Sequence, residues 1–276
     1  MTFGMLIDTT KCIGCDECVV ACKKENNLKK DRPRRWKKRF DDLSSTRYTT
    51  VIQRGDKFVR QFCRHCLSPA CASACIVGAL ERTEEGAVIY DNDKCMGCRY
   101  CMMACPFGIP RYDWEASVPF VRKCTFCYPR IKKGDKPACA EACQEGAVIF
   151  GQREALLQQA KETIENDPKR YIDKVYGETE VGGTAIIYIS DVPLDFLAWK
   201  PDVGDTPLPD LTYAALSKVP PIVLSMAGLM GGIAWVTHRR MKRQQEAAAG
   251  SPTNKENTDS AATETIEDAS DKGEAQ

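Results

Sequence analysis

The sequence predicts an α+β protein: a loop-rich domain of two similar units, one inserted between the halves of the other, followed by one apolar C-terminal helix. Three observations predict it. All sixteen cysteines of the 276-residue chain fall into four quartets with recurring gaps. The signature Gly-Ala-Val-Ile-aromatic occurs twice, at Gly86–Tyr90 and Gly146–Phe150. Nineteen consecutive residues, Val219 to Thr237, carry no charge.

The quartets define the chemistry. Cys95, Cys98, Cys101 and Cys105, the last followed by Pro106, have the spacing C-x2-C-x2-C-x3-C-P. In such a run three thiolates hold one [4Fe-4S] cluster and the fourth ligates a neighbouring one. Cys12, Cys15, Cys18 and Cys22 repeat the spacing, while Cys63, Cys66, Cys71 and Cys75 widen the middle gap to four residues. In Cys124, Cys127, Cys139 and Cys143 that gap is eleven. The arithmetic is four cubane clusters with no cysteine left over. A disulfide framework has irregular spacings, whereas these gaps return to two and three. Zinc suits paired C-x2-C units, but a zinc-stabilised scaffold rarely needs the third and fourth cysteines of each run.

Taken in order, Phe3 to Asp8 reads as a strand leading into the first quartet. Gly14 stands where the backbone must approach a cluster and point N–H groups at sulfur. A helix begins near Cys18 and runs to Lys24, with Cys18 and Cys22 on one face. Residues 26–61 form an insertion without cysteine, carrying the basic run Lys29, Lys30, Arg32, Arg34, Arg35, Lys37, Lys38 and Arg39 with Trp36 and Phe40. It reads as a solvated loop or a docking face for an acidic partner. No nucleic-acid reading module accompanies it.

Lys57 to Phe62 is strand-like, and Gly78 to Tyr90 reads as a hairpin turning at Glu84 to Gly86. Twenty positions separate Cys75 from Cys95, a compact spacing that pairs the second and third quartets. Cys63, Cys66 and Cys71 then share one cluster with Cys105, and Cys95, Cys98 and Cys101 share another with Cys75. The outer quartets pair by elimination. A ladder between Gly146–Phe150 and Met5–Asp8 would close them, with Cys12, Cys15, Cys18 and Cys143 on one cluster and Cys22, Cys124, Cys127 and Cys139 on the other.

Gly151 to Asn166 follows as an amphipathic helix with Ala155, Leu156, Ala160 and Ile164 as its apolar stripe. Thr184 to Ile189 reads as a strand, and Pro193 to Asp210 as a connector with little regular structure. The domain layout is therefore 1–170 for the four-cluster region, 171–218 for an extension and connector, 219–237 for a transmembrane anchor and 238–276 for a disordered tail.

As a helix, the charge-free stretch rises about 28 Å, close to the roughly 30 Å hydrocarbon core of a bilayer. Pro220 and Pro221 sit where a helix start tolerates them. Ser225, Gly228 and Gly232 share a side, and Gly228 to Gly232 has the GxxxG spacing of close helix pairs. Arg239, Arg240, Lys242 and Arg243 follow immediately, while Lys218 alone stands close before. The positive-inside rule puts the tail in the cytoplasm and the cluster domain on the extracytoplasmic face of the cytoplasmic membrane.

Lys94, Arg99, Arg111, Arg122 and Lys123 flank ligands and either offset cluster charge or serve as ordinary surface charge. Ile13, Phe62, Ile76, Phe107 and Ile109 read as apolar sheathing, His65 as a packing residue beside the ligands, and His238 as a snorkelling residue. No dinucleotide fingerprint, phosphate loop or nucleophile–base constellation is present, so the chain is expected to move electrons without converting a substrate. No apolar leader precedes Phe3.

The four quartets in this order, Cys124-Thr-Phe-Cys127 before Pro137-Ala-Cys139, Gly146–Gly151 and Val181-Gly-Gly-Thr184 carry a resemblance. They resemble the four-cluster, bacterial-ferredoxin-like electron-transfer subunits of membrane-bound molybdopterin oxidoreductases and hydrogenases. The resemblance covers Phe3 to the anchor and implies the inserted-pair arrangement of clusters. It implies two partners: a catalytic subunit, either nickel–iron hydrogenase or a molybdopterin or tungstopterin enzyme, and an integral membrane quinone-reactive or cytochrome b subunit. Two branches have a single C-terminal anchor, the beta subunit of respiratory formate dehydrogenase and the ferredoxin-like subunit of periplasm-facing, quinone-linked hydrogenase. Phe3–Asp8 and Gly146–Leu157 look slightly more like the hydrogenase branch. Ile76 and Gln144 stand where relatives often have proline after cysteine. The resemblance also implies export of the folded domain with a partner bearing a twin-arginine signal, or a leader not present in this sequence.

Overall fold

The computed structural model describes residues 2–29, 43–114, 116, 120–194 and 203–249. The basic run beyond Lys29, with Trp36 and Phe40, and the tail from 250 lie outside the described residues. The chain forms two units, 1–217 and 218–276.

The first unit is built on a three-stranded sheet in which β1 (Phe3–Asp8) lies between β8 (Val148–Gln152) and β9 (Ile186–Ile189). The expected ladder is present: β1 runs antiparallel to β8, with Met5 opposite Phe150 and Ile7 opposite Val148. On its other edge β1 runs parallel to β9, with Met5 opposite Ile186. The extension beyond residue 170 thus supplies a core strand. Alternation along the strands sends the two sets of side chains to opposite faces. Leu6, Ile187 and Ile189 pack with Leu156, Leu157, Ala160 and Ile164 of α6 (Arg153–Asn166). Leu157 takes the place in the stripe expected for Ala155, which is exposed. Met5, Ile7, Ile186 and Tyr188 face the other way, into a core shared with Phe62, Phe126 and the thiols of Cys63, Cys105, Cys124 and Cys139.

Short helices carry the remaining cysteines. α1 (Glu17–Glu25) packs against α5 (Ala138–Glu141), and α2 (Ala70–Ser73) against α3 (Tyr100–Ala104). The expected hairpin is formed by β4 (Leu80–Arg82) and β5 (Val88–Tyr90). A second hairpin, β2 (Thr49–Arg54) with β3 (Lys57–Phe62), occupies the C-terminal part of the cysteine-free insertion. The remaining short elements of this unit among the described residues are β6 (Arg111–Tyr112), β7 (Val121–Arg122), α4 (Tyr128–Ile131), a 3-10 turn at Glu180–Gly182 and α7 (Leu208–Leu216).

Gly177 ties the last strand into this frame. Its φ is +91°, and a Cβ there would stand 2.3 Å from the Ile186 carbonyl oxygen. The same turn is held by Arg153, whose guanidinium donates to the carbonyls of Thr184, Gly177 and Glu178. Gly177→Val is therefore expected to destabilise the first unit by about 3 kcal/mol, combining a disfavoured φ with a backbone clash. A urea midpoint equal to wild type would show that the turn relaxes at no cost.

The second unit contains α8 (Val219–Ala249), 31 residues long. The helix passes through His238 and continues to Ala249, so the tail expected from 238 is helical over its first turns. Residues 239–249 are Arg, Met, Lys, Gln, Glu and Ala, all strong helix formers. The described side chains of α8 are exposed, from Val219 to Ala247. Within the apolar stretch the Ser225 and Thr237 hydroxyls donate to the carbonyls of Ile222 and Ile233, both at 2.8 Å. Those bonds leave no hydroxyl donor unsatisfied in a hydrocarbon environment. Arg239 lies over the Trp235 ring at 5.3 Å, an arrangement suited to the boundary between lipid and water.

Candidate iron–sulfur centres

All four Cys-x-x-Cys loops share one backbone feature. The residue before the second cysteine has positive φ: Gly14 at 71°, His65 at 48°, Gly97 at 73° and Phe126 at 63°. This bend turns N–H groups inward. The Gly97 N–H donates to Cys95 Sγ at 3.4 Å and the Phe126 N–H to Cys124 Sγ at 3.3 Å. Ala79 N–H meets Cys75 Sγ at 3.2 Å. Glycine adopts the conformation freely, whereas His65 and Phe126 accept a cost of about 1–2 kcal/mol each. Their rings stack at 4.7 Å, both fully buried. The His65 Nδ1 accepts the Val88 N–H at 2.9 Å, so His65 is a packing and backbone-bonding residue here.

The sixteen thiols are all free and gather in four groups. Cys12, Cys15, Cys18 and Cys143 edge one cavity, with Ile7, Val148 and Arg60. Cys75, Cys95, Cys98 and Cys101 edge another, with Tyr90 and Val121. Cys66 faces Cys105, Cys63 and Cys71. Cys124 faces Cys22, Cys127 and Cys139. Neighbouring groups act on one another electrostatically: Cys71 with Cys101, Cys124 with Cys63, and Cys18 with Cys139. The groups therefore stand in a file, with the Cys75 and Cys12 groups at its ends.

Burial dominates the acid–base behaviour of these thiols. It pushes Cys18, Cys22 and Cys71 up to about 12, and Cys101 and Cys127 up to about 11. Cys66 and Cys124 rise well above the ordinary range for the same reason. At neutral pH these thiols keep their protons until a cation replaces them, so loading with iron must release protons. Backbone N–H groups work in the opposite direction. Those of Ile109, Phe107 and Gly108 favour a thiolate at Cys105, though burial there prevails.

The donor set fits cubane clusters: four sulfurs per group, N–H groups aimed at sulfur, and apolar walls. A single zinc ion would draw four thiolates to about 3.8 Å from one another. Among the described residues no three His, Cys, Asp or Glu are gathered tightly enough for one ion.

The flanking residues sort differently from expectation. Phe62, Phe107 and Ile109 are buried as sheathing, whereas Ile13 and Ile76 are 58% and 66% exposed. Of the five flanking cations only Lys123 is buried; its ammonium donates to the carbonyls of Val88 and Cys124. Lys94 pairs with Asp91, Arg99 lies over Tyr112 and Trp114, Arg111 bonds the Leu43 carbonyl and Arg122 reaches Asn92. Two further buried cations, Arg64 and Arg60, are not marked as such by the sequence. Arg64 lies over the Tyr188 ring at 4.1 Å, and Arg60 is among the thiols. A charged residue on a strand or loop reads as solvent-facing by default; the placement of β3 buries Arg60, and the loop between Cys63 and Cys66 buries Arg64.

The 4Fe-4S dicluster domain family matches residues 56–153. A protein of Nitratidesulfovibrio vulgaris is 42% identical over 264 residues, covering 90% of this chain and 70% of its own. The Hydrogenase-2 operon protein HybA of Escherichia coli is 33% identical over 258 residues, covering 79% and 76%. The formate dehydrogenase-O iron-sulfur subunit of Escherichia coli is 34% identical over 226 residues, covering 73% and 72%.

Proposed function

Because the chain belongs to the family of ferredoxin-like iron–sulfur subunits of hydrogenase and formate dehydrogenase complexes, we propose that it relays electrons through four [4Fe-4S] clusters. The relay runs between an extracytoplasmic catalytic subunit and a quinone-reactive membrane subunit. The carrying observation is the gathering of the cysteines, Cys12, Cys15, Cys18 and Cys143 about one cavity, Cys75, Cys95, Cys98 and Cys101 about another, and Cys63, Cys105, Cys124 and Cys139 in the core.

The ligand sets are Cys12, Cys15, Cys18 and Cys143; Cys22, Cys124, Cys127 and Cys139; Cys63, Cys66, Cys71 and Cys105; and Cys75, Cys95, Cys98 and Cys101. These sets make two double-cluster units, with the second and third quartets inserted between the halves of the outer unit. The packing of α1 on α5 and of α2 on α3 supports that division. When bound, each cubane supplies a one-electron couple whose potential depends on charge, hydrogen bonds and solvent exposure. The chain holds its thiolates, orders the file and excludes water around its two inner groups. Exposed apolar residues stand at each end: Ile13 and Val20 beside the Cys12 group, and Ile76 and Met96 beside the Cys75 group. They suit docking of a different partner at either end.

In this reading α8 is a single-pass anchor, with the basic residues after His238 on the cytoplasmic side and the cluster domain outside. Substrate conversion belongs to the catalytic partner. The longer stretch shared with HybA, 258 residues against 226, favours hydrogenase. Formate dehydrogenase is the second reading, resting on 34% identity over the shorter stretch.

Metal analysis of the native complex, extracted anaerobically in mild detergent, tests both levels. About sixteen irons assigned to this chain are expected after subtracting partner clusters. Stoichiometric nickel identifies a hydrogenase partner, and molybdenum or tungsten without nickel the formate dehydrogenase type. Zinc with almost no iron would overturn the relay.

A further inference from the structure

Arg60 lies in β3 and is only 3% exposed. Its Nε donates to Thr49 Oγ1 at 2.9 Å, its Nη1 approaches Met5 Sδ at 3.6 Å, and its guanidinium centre stands 4.0 Å from the Phe62 ring centroid. All three partners are neutral. Among the described residues no carboxylate pairs with it, unlike Lys57 three residues earlier, which reaches Asp191 at 2.7 Å. An isolated buried cation is strongly disfavoured unless an opposite charge compensates it.

The thiols supply the compensating charge once iron replaces their protons. Arg60 edges the same cavity as Cys12, Cys15, Cys18 and Cys143. Met5 and Phe62, which flank its guanidinium, share one buried core with Cys139 and Cys124 of the adjacent group. A cubane with four thiolate ligands is negative in both oxidation states, and reduction makes it more so.

We propose that Arg60 is the shared counter-charge of two neighbouring clusters, the one held by Cys12, Cys15, Cys18 and Cys143 and the one held by Cys22, Cys124, Cys127 and Cys139. This inference rests on the ligand sets given above. A fixed positive charge between two such centres favours the reduced state of both and raises both potentials together. Thr49, Met5 and Phe62 aim the guanidinium, so Arg60 is a positioning and electrostatic residue and carries no electron itself.

The test uses the intact complex with Arg60→Gln and Arg60→Lys, comparing iron content and EPR-monitored redox titrations. With Gln, two of the four cluster midpoints are expected to fall, each by about tenfold in the reduction equilibrium, or 59 mV for one electron. The other two stay in place, and Lys restores most of the shift. If the Gln variant loses iron while the Lys variant keeps it, the requirement for a positive charge is likewise supported. Full iron with unmoved midpoints, a shift in only one cluster, or equal iron loss in both variants would overturn the proposal. A wild-type complex lacking the iron of four clusters would instead sink the ligand sets themselves, which separates the two failures.

Discussion

Cys124→Ser is expected to remove one cluster and end quinone-linked electron flow, while the catalytic partner keeps its activity with a soluble dye. Iron assigned to this chain should fall from about sixteen to about twelve. Cys124 is buried in the core and faces Cys22, Cys127 and Cys139, with Cys63 of the next group beside it. Its group is interior to the file, so its loss leaves a gap with no bypass. Serine offers a harder and more weakly ligating oxygen in a site that burial already makes hostile to anions. Retained quinone-linked turnover, with that cluster demonstrably gone, would sink the relay.

The same experiment extended to two more positions tests the crossed ligand sets. Cys22→Ser should erase the same EPR signal as Cys124→Ser, although the two residues are about a hundred positions apart. Cys143→Ser should erase a different signal, the one also lost with Cys12→Ser. If Cys143→Ser and Cys124→Ser abolish one and the same signal, the outer quartets are not crossed.

Ending the chain at Ser217 is expected to move the cluster domain from the membrane to the soluble fraction when expressed without its partners, with its iron retained. Residues 1–217 form their own compact unit. What is removed is a helix whose described side chains are all exposed and whose stretch from Val219 to Thr237 carries no charge. Leu229→Arg in the full chain is the milder counterpart. It puts a charge near the centre of that stretch at a cost of about 2.5–3.5 kcal/mol for insertion. A truncated chain that still sediments with membranes would show that attachment lies in the cluster domain.

Much of this was legible in the cysteines, because ligand spacing is a local property. A cubane needs a short loop with an inward-turning backbone, and Cys-x-Gly-Cys at Gly14 and Gly97 states that requirement openly. His65 and Phe126 meet the same requirement without glycine; their positive φ is stabilised by a ring stack between loops more than fifty residues apart, which no local pattern announces. The ladder of β8 on β1 was readable from the repeated Gly-Ala-Val-Ile signature. The parallel placement of β9 was not, since Ile186–Ile189 is a plain apolar strand that would suit either edge. Arg60 and Arg64 were hidden because a sequence shows charge but not the absence of a carboxylate around it. The helical start of the expected tail was overlooked because polarity was read as disorder, although its residues favour helix.

The central position of β1 also orders the events of biosynthesis. Its partners β8 and β9 arrive roughly 145 and 180 residues later. At 5–20 residues per second, the opening strand leaves the ribosome on the order of 10 to 40 s before its sheet can close. Through that interval Cys12, Cys15 and Cys18 wait for Cys143, whereas Cys63 to Cys105 emerge within about forty residues of one another. On the proposed ligand sets, the thiols from Cys63 to Cys105 are thus complete for iron loading while those of the first and last quartets are still open. A nascent chain stalled where Cys105 has cleared the ribosome and Cys143 has not should already hold the iron of the two clusters proposed for Cys63 to Cys105.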